Sequence, residues 1–288
     1  MRKKSNSFYP TTEIEQKYWD QGLSCVGIDE VGRGCLAGPV VVAAVILPQS
    51  LLERERDVIA TKSLERERVE RATREHGDAS VSNTLLGAGE KVSGSNLYAT
   101  KSNEQFWNEV KDSKQLTPIQ REKLAAKIQT HAKTQVAWCT SEEIDSHNIL
   151  KASMIAMRRA LTSFQKDAQV LLVDGHLSPL DPRFDLDVPL HPRFTLDVPL
   201  HPRFTLEKEP QVFFPYVLPI VKGDSRVLSI AAASIVAKVY RDQWMKELDQ
   251  TFPVYGFKSH KGYPTTAHRK ALQEHGPSPI HRMSFTLL

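Results

Sequence analysis

Apolar and polar positions along this chain follow two alternating periods. Cys25-Val26-Gly27-Ile28 is a short apolar run that stops at Asp29-Glu30. A second apolar run, Pro39 to Leu47, follows the connection Val31-Gly32-Arg33-Gly34. Two such runs joined by a glycine-bearing connection read as a β-hairpin. Gln135 to Cys139 and Val217 to Val221 read as further strands, and Gln169 to Val173 as a short strand of the buried, parallel type. Helical spacing fills the intervals. Thr12 to Trp19 is a short helix. Thr117-Pro118 with Gln120 is a helix start, an N-cap followed by proline at the first helical position, and that helix runs to about Lys133. Ser141 to Ile144 opens a helical turn. Ile149, Ala152, Ile155, Ala156 and Ala160 share one face of a helix from Ile149 to Phe164. Val227 to Thr251 is a long helix whose small residues, Ser229 to Ser234, allow close packing on a sheet. Gly256 to Pro264 is a loop rich in His, Lys and Gly. Thr265 to His275 is the last helix, followed by a basic-aromatic tail.

Two stretches break this pattern. Leu51 to Arg74 is dense in Glu and Arg, and Gly77 to Lys101 is rich in Gly, Ser, Ala and Asn. Together, 49–107 reads as an inserted surface segment, a solvated helix with a flexible tail. The second is a tandem decapeptide, His191-Pro-Arg-Phe-Thr-Leu-Asp-Val-Pro-Leu200, with a near copy before it and a truncated copy after it. Its periodic prolines forbid a helix or a central strand, so 181–208 reads as an expanded surface loop. The expected organisation is one domain, 1–288, carrying two insertions.

Composition adds little. The chain has 288 residues, 40% hydrophobic and 25% charged, which is ordinary for a soluble globular protein. A net charge of +4 is compatible with a polyanionic partner without showing one. Three cysteines argue against a disulfide framework and for a reducing cytosol. No apolar stretch follows the basic N-terminus, and the longest apolar run, Val40 to Leu47, is too short to cross a bilayer. A cytoplasmic monomer without membrane contact is expected.

The chemistry lies at strand ends. Asp29-Glu30, Asp174 and Asp224 each terminate an apolar run. In a mixed sheet, ligands gather at such ends. Because strand neighbours point to opposite faces, Asp29 and Glu30 cannot both enter one core. Four carboxylates brought together repel unless cations neutralise them. An oxygen-only donor set favours Mg²⁺ or Mn²⁺ over Zn²⁺. Two such ions are the usual device for in-line cleavage of a phosphodiester. No zinc-type Cys/His spacing, GxSxG elbow or Walker loop competes. Gly32 and Gly34 let the backbone approach a ligand closely, and Arg33 between them suits phosphate or sugar oxygens.

Gly27-Ile28-Asp29-Glu30-Val31-Gly32-Arg33-Gly34 resembles the signature of ribonuclease HII, the type 2 ribonucleases H. Further blocks occur in the family's order: Asp112-Ser113-Lys114-Gln115-Leu116, Glu143-Ile144-Asp145, Val173-Asp174-Gly175, Lys222-Gly223-Asp224-Ser225, Ser229 to Lys238, Tyr240-Arg241-Asp242, His260-Lys261-Gly262-Tyr263-Pro264-Thr265, and Gly276-Pro277-Ser278 with His281-Arg282. The resemblance covers roughly 24–48 and 111–285, apart from the repeat. It implies an α/β, RNase H-like fold: a mixed five-stranded sheet flanked by helices, with a C-terminal helical portion. It implies cleavage of RNA in RNA–DNA hybrids, and cleavage 5′ of single ribonucleotides in duplex DNA, leaving 3′-hydroxyl and 5′-phosphate ends. Asp29, Glu30, Asp174 and Asp224 match the catalytic, metal-binding carboxylates, with two Mg²⁺ or Mn²⁺ ions. Gly32, Arg33 and Gly34 match the loop that senses the 2′-hydroxyl, and Tyr263 the aromatic that packs on the neighbouring deoxyribose.

Ser113, Lys114, Lys222 and Lys261 are expected on the substrate side, the lysines at phosphates. Asp112 is expected to fix the Ser113-Lys114 turn, and His176 to lie outside the metal shell. His260 and His281 are expected as phosphate or structural contacts. Asp242 is expected to pair with Arg241 or another basic neighbour. Cys35 stands where the family often has Pro. The alternatives are a ribonuclease HIII-like hybrid nuclease and a catalytically silent nucleic-acid scaffold.

Overall fold

The computed structural model describes residues 9–48, 50–51, 105–182 and 212–288. The expected Glu/Arg-rich helix, the flexible tail and the decapeptide repeat lie outside the described residues, apart from a few at their edges. The chain divides into two compact units: Met1–Leu47 with Val110–Leu288, and Pro48–Glu109. In the second, the described residues include a 3₁₀ turn, Gln105–Glu109, where the Phe106 and Trp107 rings lie 4.6 Å apart.

The first unit is built on a five-stranded sheet in the order β3-β2-β1-β4-β5. Its strands are β1 (Cys25–Val31), β2 (Val40–Ile46), β3 (Lys133–Cys139), β4 (Val170–Asp174) and β5 (Tyr216–Ile220). β1, β2 and β3 form an antiparallel meander. β4 joins β1 in parallel, and β5 joins β4 in parallel. The α/β, mixed-sheet expectation therefore holds. All five residues of β4 are apolar except the terminal Asp174, and its first four are buried, as a strand covered on both faces requires.

Side-chain alternation divides the sheet into two faces. Val26, Ile28, Val40, Val42, Leu171 and Val173 point into one core with α3 (Ser141–Leu161). Cys25, Val170 and Leu172 point to the other side, onto Val227 and Ile230 at the start of α4 (Leu228–Thr251), with Ile14 and Tyr18 of α1 (Glu13–Trp19) beside them. α2 (Pro118–His131) begins with the expected capping box between Thr117 and Gln120. The two helical pieces expected on either side of residue 148 are joined end to end. Asn148 interrupts α3 at φ +65°, and its side chain accepts the amides of Leu150 and Lys151, capping the second half.

α4 lies very close to β1. A Cβ on Gly27 would stand 2.5 Å from the Ser229 backbone, so only glycine admits the helix at this distance. The N-cap residue of α4, Val227, has no side chain able to cap. The fully buried Glu15 of α1 takes that role from outside the helix. Its Oε1 accepts from Ser229 N–H at 2.9 Å and Ser229 Oγ at 2.8 Å. The C-terminal portion adds two short helices, α5 (Phe257–His260) and α6 (Thr266–His275). The loop expected over Gly256 to Pro264 thus contains a helical turn. Among the described residues, no helix is long and apolar enough to cross a membrane.

Candidate active site

Three of the four candidate acids reach one place by the logic of the sheet. Asp29 follows Cys25 and Gly27 on the α4 face of β1, and Asp174 follows Val170 and Leu172 on the same face of β4. The two strands are parallel neighbours with Ile28 opposite Val173, so Asp29 and Asp174 are adjacent positions one step further on. Adjacent strands lie about 4.8 Å apart. Asp224 stands in the 3₁₀ turn Gly223–Ser225 between β5 and α4. Asp174 Oδ1 ties this turn to the sheet by accepting from Gly223 N–H at 2.6 Å and Asp224 N–H at 3.4 Å. Glu30, one residue beyond Asp29, turns to the other side of the strand end. Asp29 is buried and Glu30 half-buried, as the alternation argument requires.

The electrostatics show that the four acids share one field. Burial pushes Asp29 well above the usual carboxylate range, and Glu30, Asp174 and Asp224 push it further. A hydrogen bond from Ser234 of α4 opposes that shift. Burial also raises Asp174, with Asp224 adding to it and the two backbone amides opposing it. Glu30 is raised by burial against the pull of Arg33. Internal donors meet part of the charge. Glu30 N–H donates to Asp29 Oδ1 at 2.7 Å, Arg33 Nη1 to Glu30 Oε1 at 3.1 Å, and Lys114 Nζ to Asp224 Oδ2 at 3.2 Å. Burial tends to lower Lys114, but Asp224 and its hydrogen bond outweigh that and raise it. No three His, Cys, Asp or Glu side chains among the described residues are grouped as a ready ion site. The donor set itself fits a hard cation: anionic oxygens, buried or half-buried, with Asp29, Glu30 and Asp174 raised by that burial.

The expected substrate-side residues fall into two groups. Arg33 and Lys114 are exposed beside the acids and are engaged with Glu30 and Asp224. Ser113 is buried, and its hydroxyl lies 3.0 Å from Ser234 Oγ, so it supports the serine that bonds Asp29. Lys222 is exposed at φ +56°, two residues before Asp224. Lys261 is half-buried, and its ammonium turns to the Lys258 carbonyl. Tyr263 is exposed, with Lys238 Nζ 5.7 Å from its ring centroid. As expected, Asp112 fixes the turn: its Oδ1 accepts Lys114 N–H at 2.9 Å. His176 is exposed.

The glycine loop is held from beneath by two arginines whose roles the sequence did not disclose. Arg241 and Arg282 are both fully buried. Arg241 donates to the carbonyls of Pro39, Lys261 and Ala37 at 2.9, 2.8 and 3.1 Å. Arg282 donates twice to Gly38 O, at 2.9 and 2.8 Å, and once to Arg33 O at 2.9 Å. Gly32, at φ +93°, leaves the room that Arg241 occupies, since a Cβ there would stand 2.2 Å from Arg241 Nε. Asp242 pairs with Lys238 at 2.7 Å and Arg121 at 4.0 Å, while the Arg241 guanidinium goes to backbone carbonyls. The available signal was position. Arg241 lies four residues from both Ala237 and Met245, on the buried stripe of α4. A cation on such a stripe needs internal acceptors.

Comparison with known proteins identifies the family of the chain. The ribonuclease HII family matches the chain over residues 26–79 and 95–288. The ribonuclease HII of Bacteroides thetaiotaomicron is 35% identical over 275 residues, covering 94% of each chain. That of Sinorhizobium medicae is 38% identical over 259 residues, covering 90% of this chain and 81% of its own. Among solved structures, ribonuclease H2 from Pyrococcus horikoshii superposes with a TM-score of 0.54 at 24% identity, covering 92% of this chain and 95% of that one. Bst-RNase HIII in complex with Mn²⁺ superposes with a TM-score of 0.51 at 16% identity, covering 92% and 68%. These two likenesses bear on the fold, and the fold is theirs. With a matching family profile over most of its length and relatives above one-third identity, the chain belongs to the ribonuclease HII family and is a ribonuclease H enzyme.

Proposed function

We propose that this protein cleaves RNA within RNA–DNA hybrids and cuts 5′ of single ribonucleotides embedded in duplex DNA. The observation that carries the reading is the grouping of Asp29, Asp174 and Asp224 at one end of the sheet, with Glu30 next to Asp29 and the Gly32–Gly34 loop beside them. Two Mg²⁺ or Mn²⁺ ions would be held by these four carboxylates. Such ions supply charge neutralisation at the phosphodiester and lower the pKa of an attacking water. The residues of the chain do the rest. Arg33 and Lys114 exchange their internal carboxylate partners for substrate oxygens, which frees Glu30 and Asp224 for the ions. Ser234, backed by Ser113, keeps Asp29 oriented. Water adds to phosphorus and the P–O3′ bond breaks, leaving a 3′-hydroxyl on the upstream strand and a 5′-phosphate on the ribonucleotide.

Recognition of the junction needs close approach, because one 2′-hydroxyl separates the substrate from plain DNA. A Cβ at Gly34 would meet no atom of the other described residues within 4 Å, its chain neighbours aside, so the space before this residue is open for a sugar. In this reading Tyr263 packs on the neighbouring deoxyribose, Lys222 meets a phosphate, and Lys261 does so on leaving the Lys258 carbonyl. The protein acts in the cytoplasm as a monomer. Incubation with Mg²⁺ or Mn²⁺ and a duplex holding one ribonucleotide should give a single 5′-side cut that EDTA abolishes. Folded protein that leaves this duplex intact under both metals, or that cuts only an all-RNA·DNA hybrid, would overturn the junction-specific reading.

A further inference from the structure

Behind the Tyr263 loop lies a second cluster of titratable side chains, separate from the carboxylates. His260, His268 and His281 pack with Tyr255 and Phe257. The His260 and His268 rings stack at 4.4 Å, and Phe257 meets the His268 ring edge-on at 5.5 Å. His268 is fully buried and His281 nearly so.

The hydrogen bonds at the two ends of this cluster assign every imidazole proton. His281 Nδ1 meets both Ser278 N–H, at 2.8 Å, and the Ser278 hydroxyl, at 2.7 Å, which donates there as the amide does. A backbone amide can only donate, so Nδ1 holds a lone pair and the proton of neutral His281 sits on Nε2. That Nε2 lies 3.0 Å from His268 Nε2, which must accept. The proton of His268 is therefore on Nδ1, 2.9 Å from the Tyr263 carbonyl, a group that can only accept. The chain Ser278, His281, His268, Tyr263 runs in one direction, and one pair of neutral tautomers satisfies it. Burial lowers the basicity of all three histidines, His281 to about 4, which keeps them neutral. His260 is ordered in the same way, accepting from Gly262 N–H and donating to the Tyr255 carbonyl at 2.7 Å.

The far end of this chain is a strained loop. Lys261 and Gly262 both have positive φ, +53° and +82°. The loop is docked on the reading segment: Leu36 N–H donates to Gly262 O at 2.8 Å, and a Cβ on Gly262 would stand 2.5 Å from Ala37 O. Left-handed backbone at a non-glycine residue persists only where its surroundings over-determine it.

We propose that His268 and His281 are positioning residues for junction recognition, forming a proton-ordered imidazole relay that holds Tyr263 in register with the Gly32–Gly34 loop. The proposal rests on the reading that Tyr263 contacts substrate. Neither imidazole touches the nucleic acid; both act through the Tyr263 backbone.

The test uses two amide substitutions in the full chain. In His268→Asn the side-chain amide nitrogen falls near the place of Nδ1 and keeps the donor to Tyr263. In His268→Gln the amide reaches the place of Nε2 and loses that donor. Both remove the same ring packing. On a single-ribonucleotide duplex, His268→Gln should lower kcat/KM about tenfold, the value of one hydrogen bond, mainly through KM. His268→Asn should recover most of that loss, and an all-RNA·DNA hybrid should be cut at near wild-type efficiency by both. Equal losses for the two variants, on both substrates and in proportion to lost thermal stability, would show packing alone and overturn the relay. Imidazole ¹⁵N shifts at pH 7 should show His268 protonated on Nδ1 and His281 on Nε2; the opposite tautomers or charged rings would overturn it independently. Tyr263→Ala separates the two readings. If it leaves junction cleavage unchanged, the substrate contact of Tyr263 falls, and the role in specificity falls with it. If it impairs junction cleavage while His268→Gln does not, only the relay fails.

Discussion

Arg282 Nη1 donates to the backbone carbonyl of Arg33 at 2.9 Å, across 249 positions of sequence. One arginine is buried and holds the loop, while the other rides exposed upon it and faces the acids. The same residue type is therefore expected to behave oppositely at the two positions. Arg282→Met removes three donors and leaves buried carbonyls unpaired, at a cost of about 3 to 5 kcal/mol, read by urea unfolding. Arg33→Ala should change stability by less than about 1 kcal/mol, because its ion pair with Glu30 is half solvent-exposed. It should instead lower discrimination for ribonucleotide-containing over all-DNA duplex, while phosphate contacts elsewhere preserve most duplex affinity. Equal loss of binding on both duplexes would refute that division of labour.

Asp29→Asn tests the shared field. Asp29 is the acid pushed furthest above its normal range, by burial and three carboxylate neighbours. Replacing it with the neutral amide should abolish cleavage and spare hybrid binding. It should also raise the melting temperature in EDTA at pH 7, because a buried carboxylate repelled by its acidic neighbours is replaced by a neutral amide. An unchanged or lowered melting temperature in EDTA would contradict the electrostatic account.

The histidine cluster makes stability depend on acid. His281 in the folded chain is held to about 4, below the ~6.5 of an unfolded histidine. Between these values the unfolded chain binds a proton that the folded chain refuses. The stabilising contribution is full above about pH 6.5 and falls as pH drops toward 4, by on the order of 3 kcal/mol. The raised carboxylates Asp29, Glu30 and Asp174 act in the opposite sense, since the folded state takes up their protons first. Urea midpoints for wild type and His281→Gln between pH 4 and 7 isolate the histidine, and the variant should show the flatter acid limb. Parallel profiles would refute the assignment.

Gly27→Ala tests the seat of α4. The added methyl would stand 2.5 Å from Ser229 main chain and hydroxyl, so β1 and α4 must separate. A loss of about 2 to 3 kcal/mol is expected. Cleavage should fall with it, because Ser234 on the same helix bonds Asp29. A neutral effect on the melting temperature would show that the helix has slack.

Local and tertiary information separate cleanly in this molecule. The strands, the Thr117 cap and the acids at strand ends were legible in sequence, because short continuous apolar runs broken by charge or glycine, and capping residues, act on their own neighbours. Asp29 and Glu30 also announced their division between two faces, since strand geometry alone imposes it. The segment after Gly256 was read as loop although it contains a helical turn, because its helical residues are too few to set a period.

What sequence could not decide was which distant groups meet. Glu15 capping a helix 214 positions away, Ser113 backing Ser234, and Arg241 and Arg282 gripping carbonyls all follow from chain packing. His268 looks in sequence like an ordinary surface residue of a polar helix, and Arg241 shows only by its spacing that it falls on the buried stripe of α4. They become interior supports only because the tail returns to the hairpin, where burial strips their water and leaves backbone oxygens and one another as partners. Residue types and their order along the chain thus determined the chemistry available. The fold decided which of those groups face substrate and which hold the others still, because desolvation and hydrogen-bond satisfaction are properties of the packed whole.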